Sequence, residues 1–162
     1  MKKEFLRRFT MFALLVTLAL VTAVVSANAQ SHANRIVADV PFEFSVGYKA
    51  LPAGEYSVQQ IASAGNGLLI QSSDGKISAL RLSDGIEGTK VKSPARLIFH
   101  RYGQRYFLAE VWNGADKTGR QLAKSREESA IESEFKQLAS ANENAHAPNA
   151  VYETVEVLAI LR

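Results

Sequence analysis

Cysteine is absent from the chain. Thiol catalysis, thiolate metal sites and disulfide exchange are thereby excluded, and so is a lipid-modified cysteine anchor. An exported fold without disulfides must rest on its hydrophobic core. Histidine is scarce: His32, His100 and His146 are the three instances. His32 lies in a polar lead and His146 in a polar linker, so His100 alone sits in a segment with strand character. A zinc site needs three or four ligands, and no second candidate lies near His100 in sequence. It reads instead as a strand histidine sharing a face with Tyr102 and Phe107.

Motifs for nucleophiles and phosphates are missing as well. No G-x-S-x-G elbow occurs. Neither Gly65-Asn66-Gly67 nor Gly85-Ile86-Glu87-Gly88 opens a helix after a strand, as a phosphate loop must. Glu127, Glu128, Glu132 and Glu134 read as a solvated helix face rather than as acid–base pairs. No catalytic, cofactor-binding or metal-ligating residue is expected, no cofactor is implied, and the chain reads as a non-enzyme.

What is present begins with an export signal. Lys2, Lys3, Arg7 and Arg8 precede an uncharged, mostly apolar run from Phe9 to Val25, and Ala27-Asn28-Ala29 supplies small residues at a cleavage site. This is the pattern of a secretory signal over residues 1–29, with cleavage expected between Ala29 and Gln30. The competing reading is a membrane anchor, since the run reaches the lower end of a spanning length. Three interrupting threonines and the cleavage triplet favour the signal, and no membrane span is expected after its removal.

The signal also accounts for the charge. The chain carries +3, but four of its 19 basic residues and one of its 16 acidic ones fall in the first 29 positions, leaving 15 of each sign. The basic balance therefore belongs to targeting, and nucleic acid is not an expected partner. The remaining charge is unevenly spread. Residues 76–126 hold eleven basic and four acidic side chains, whereas residues 127–162 hold seven acidic and two basic. Either the acidic tail folds back on the basic middle, or a basic surface meets an acidic partner.

Residues 30–162 read as one β domain. Strand-like segments occur at Ile36–Val46, Glu55–Ile61, Leu68–Ser72, Ile77–Leu82, Arg96–Tyr102, Arg105–Trp112 and Arg120–Lys124. Pro41 demands an edge or a break in the first. Asp74-Gly75 and Gly103-Gln104 mark hairpins. A two-residue loop at Gly103-Gln104 pairs Tyr102 with Arg105 and His100 with Phe107, and sets Leu97, Phe99, Tyr106 and Leu108 on one face. Residues 83–93 are polar and read as a loop. Ser125-Arg126-Glu127-Glu128 is a capping box opening a surface helix over about 126–140. A polar linker over about 141–150 leads to a β-prone segment at about 151–161, too apolar to hang free. It is expected to close the sheet beside the first strand, or to exchange between copies. The fold class is thus all-β: a single antiparallel meander of about eight strands forming a barrel or sandwich, with one C-terminal surface helix before the last strand. The layout is similar to that of small ligand-carrying barrels such as lipocalins, in architecture only.

Val40-Pro41-Phe42-Glu43-Phe44, Leu51-Pro52-Ala53-Gly54-Glu55-Tyr56 and His100-Arg101-Tyr102-Gly103 continuing through Tyr106-Phe107-Leu108 to Glu110-Val111-Trp112 carry a resemblance. With Gly119-Arg120 and Lys124-Ser125-Arg126, they resemble a group of small secreted bacterial β-domain proteins of unknown function. The resemblance implies an exported β domain and supplies no activity.

Arg101, Tyr102 and Arg105 are the candidates for a binding surface, because mixed basic and aromatic residues can stack on a nucleic acid or sugar. The plainer reading places the arginines at a hairpin tip and the aromatic rings in the core. The functional expectation is an exported, non-catalytic β domain, periplasmic or extracellular, that binds an envelope protein or surface. The alternative is a small barrel carrying an apolar small-molecule ligand, which would need a cavity of about 300 Å³ or more.

Overall fold

The computed structural model describes residues 35–61, 66–88, 93–115, 117–141 and 151–162. The expected export signal, and residues 142–150 of the expected linker, lie outside them. The elements are β1 (Arg35–Val40), β2 (Phe44–Val46), β3 (Lys49–Leu51), β4 (Gly54–Ile61), β5 (Gly67–Ser72), β6 (Ser78–Glu87), β7 (Arg96–Tyr102), β8 (Arg105–Trp112), β9 (Thr118–Leu122), α1 (Arg126–Ala141) and β10 (Glu153–Leu161).

Eight strands close into an antiparallel barrel in the order β1-β4-β5-β6-β9-β8-β7-β10 and back to β1. Between barrel and sandwich, the fold is a barrel, and its single described helix precedes the last strand as expected. Chain neighbours pair through β4-β5-β6 and β7-β8-β9, but β6 pairs with β9 rather than β7. Two connections therefore skip strands: β6 to β7, and β9 to β10 by way of α1.

β10 inserts between β7 and β1. Val155 lies opposite Phe99, and Val37 opposite Ile160. The expected neighbour, the first strand, is thus one of two.

Pro41 breaks the first segment as anticipated: β1 stops at Val40 and β2 starts at Phe44. The β2–β3 hairpin has its own task. β9 joins β6 only over Ser83–Glu87 and β8 only over Glu110–Trp112. Beside the other half of β8, β2 pairs at Ser45↔Phe107, and Lys49 reaches across to the Ser78 carbonyl at 2.6 Å. The hairpin thus patches the half of the wall that β9 leaves open, and Phe44, Val46 and Leu51 are buried behind it.

The interior is filled by side chains, as expected of an eight-stranded barrel. Phe44 meets Tyr56 and Phe99 edge-on at 5.1 and 5.3 Å, and Phe42 stacks on Tyr106 at 3.9 Å. The buried Tyr56 hydroxyl donates to the Pro52 carbonyl at 2.8 Å, so the ring enters the core without an orphaned polar group.

Two sequence expectations need correction. Residues 83–87 are strand, not loop, because their partner β9 lies far downstream and gives no local signal. The β7–β8 register holds from Tyr102↔Arg105 to Phe99↔Leu108, then shifts, so that Ile98 faces Glu110. This β-bulge returns Glu110 to the outer face with His100, where an unbroken register would have separated them. Glu110 instead accepts from Trp112 Nε1 at 2.8 Å.

Phe99 is fully buried opposite Leu108. Phe99→Ala should destabilise the barrel by about 3–5 kcal/mol in a denaturant melt, and a loss under about 1 kcal/mol would contradict this packing.

Candidate functional site

Two places on the barrel bring together groups with chemical potential. The first lies on the outer wall of β7–β8, under α1. His100 and Tyr102 alternate with the core residues of β7 and so point outward. α1 begins at the Ser125 cap, whose hydroxyl accepts from the Glu128 amide at 3.0 Å. The other half of the expected capping box is not made. The Glu128 carboxylate turns to the barrel and lies 2.9 Å from His100 Nδ1. An ionised carboxylate can only accept, so the imidazole donates. The two side chains are 5% and 10% exposed, making this a buried pair.

Tyr152 stacks on the His100 ring at 3.9 Å, Lys124 lies over Tyr152, and Phe135 of α1 closes on Tyr102. Tyr102 itself is 2% exposed, and among the described residues its hydroxyl makes no hydrogen bond of good geometry. Burial, and then the negative fields of Glu128 and Glu132, hold this phenol well above its ordinary value near 10. Hydrogen bonds from Lys124 and Lys136 hold the Glu132 carboxyl below its usual range.

The three proposed surface residues separate. Tyr102 is corrected from a stacking platform to a buried residue, because α1 covers it. Arg101 and Arg105 stay at the hairpin, paired with Glu153 and Glu127. Arg96–Glu156 and Lys124–Glu132 repeat the pattern. The basic middle thus meets the acidic tail within the fold. Each exposed pair contributes at most about 1 kcal/mol, yet together they orient α1 and β10 on the β7–β8 hairpin.

The second place is one open end of the barrel. A cavity of about 130 Å³ has an apolar floor of Ile36, Val58, Leu68 and Val111. Its rim carries Gln59, Gln60, Asn113, Thr118 and Arg120. Leu122 belongs to the core, so alternation along β9 turns Arg120 inward too.

No protein-family model, curated protein or solved structure matches the chain.

Chemistry must therefore be read from these two places alone. The outer cluster has an oriented imidazole, buried beneath α1 and Tyr152. Among the described residues, no group of three or more His, Asp or Glu side chains is placed to hold a metal ion. The cluster clamps α1 to the wall. Sequence reading singled out His100 and Glu128 separately but missed their pairing, since 28 positions and two strands separate them. It also missed Arg120 as a site residue. The Thr118-x-Arg120-x-Leu122 alternation was the available signal.

Tyr102 yields a signed test. Its folded-state pKa is raised, so its contribution to stability is complete below the unfolded value near 10 and is lost as pH rises beyond it. Tyr102→Phe should cost nothing at neutral pH, because no described residue bonds the buried hydroxyl in good geometry. It should also lose less stability than the wild type when melts are repeated above about pH 10. A variant markedly weaker at neutral pH would show that the hydroxyl is bonded.

Proposed function

We propose that this protein is an exported, non-catalytic barrel that binds a protein of the cell envelope through its outer wall. One observation carries the reading: four large apolar side chains point outward where a solvated barrel wall would be polar. Leu80 and Leu82 on β6 are 57% and 73% exposed, and Leu158 and Ile160 on β10 are 66% and 65% exposed. Half-buried Leu69 sits opposite Leu80, and half-buried Val37 opposite Ile160, so each pair widens into a patch. Antiparallel strands with one wet face normally alternate apolar-in and polar-out, and apolar area outside that pattern marks contact surfaces.

The interior supports the same reading. Aromatic and aliphatic side chains fill the barrel, and its open end offers about 130 Å³. A carrier of a large apolar ligand needs about 300 Å³ or more. Export rests on the N-terminal pattern of residues 1–29.

A photo-crosslinking residue placed at Leu82 or Ile160 in living cells should give adducts of discrete mass, recovered outside the cytoplasm. The same residue at exposed, polar Gln121 should give none. Adducts of equal yield at all three positions, or none at any, would remove the outer-wall reading.

A further inference from the structure

We propose that the open end of the barrel at Arg120 binds a small monocarboxylate with a short apolar body. The site is separate from the outer wall, and neither proposal depends on the other.

Arg120 is the anchor. It projects into the barrel mouth above an apolar floor, half-buried. On the outer wall, Arg96, Arg101, Arg105 and Lys124 are paired with carboxylates. Among the described residues, Arg120 makes no such pair. Its one hydrogen-bond partner there is the neutral Asn66 Oδ1, at a long 3.4 Å. A guanidinium partly withdrawn from water over an apolar floor, with no counter-charge among the described residues, is costly. A ligand carboxylate removes that cost through a charge-assisted, forked pair that Arg geometry favours.

The rest of the mouth sets the ligand class. Gln60 and Asn113 add amide donors at the rim, suited to the outer lone pairs of a carboxylate. Below them, Ile36, Val58, Leu68 and Val111 offer hydrocarbon alone. One cation over an apolar floor matches one negative charge on an apolar body, whereas a dianion would bury a charge without a partner. Size follows from volume. A dry cavity of about 150 Å³ admits a benzene ring, so 130 Å³ open to solvent on one side takes a body of about four to six carbons.

Benzoate and its neutral isostere benzamide are suitable probes, titrated into the purified full-length protein and followed by amide chemical shifts. Benzoate should cause saturable shifts confined to Val58, Leu68, Val111 and Arg120, with millimolar affinity. Benzamide should bind about tenfold more weakly, having lost the charge-assisted pair. Arg120→Gln should reduce benzoate to the benzamide level while the rest of the spectrum keeps its dispersion. The proposal is overturned if benzoate gives no saturable shifts, if those shifts map elsewhere, or if the folded Arg120→Gln variant still prefers benzoate. Equal binding of the two probes to the wild type also overturns it, and needs no variant to fold.

Discussion

β10, the last strand of the chain, supplies the missing stave between β1 and β7. Six register pairs join it to β7 and three to β1, so it is held chiefly by the hairpin wall. Val155, Val157 and Ala159 turn inward against the core. Without them, Leu97 and Phe99 on one side and Ile36 and Ala38 on the other would line an open edge. An exposed edge beside a large apolar surface invites pairing with another chain. Barrel closure is therefore the constraint on which core burial, the open-end cavity and the outer wall all depend.

The route to closure is long-range. β10 follows a helix and a connection that skip two strands of the barrel, so its partners must already be in place. Ion pairs from Glu127, Glu132, Glu153 and Glu156 to the β7–β9 region guide α1 and β10 onto one wall. The buried His100–Glu128 pair adds what the exposed pairs lack. Removing either partner would leave a polar group stranded under the helix, which makes the docked position of α1 specific. Gly103, with φ +61°, lets the β7–β8 hairpin turn tightly. That turn holds the wall in the register α1 needs.

Local features were legible in the sequence where the cause is local. Gly103-Gln104 fixed the pairing of Tyr102 with Arg105, Pro41 broke a strand, and Ser125 capped a helix, each through its own backbone chemistry. The apolar alternation of residues 151–161 marked a strand that returns to the sheet. What escaped depends on partners distant in sequence. Ser83–Glu87 are strand only because β9 arrives beside them, and Glu128 looked like a capping residue until His100 claimed its carboxylate. A one-residue bulge opposite Ile98 moved Glu110 to the other face, and no composition rule signals it. Of the candidate sites, Tyr102 was visible but its burial under α1 was not. Arg120 was not singled out as a site residue because its surroundings come from four different strands.

The account rests on β10 being shared by β1 and β7 within one molecule. Cross-strand nuclear Overhauser contacts test this directly, in a sample mixing isotope-labelled and unlabelled protein so that contacts within and between molecules are distinguished. Contacts from Val155 to Phe99 and from Ile160 to Val37 should both occur within single molecules. Contacts on one side only would leave the barrel open, and contacts running between molecules would mean that the strand is exchanged; either result contradicts the account.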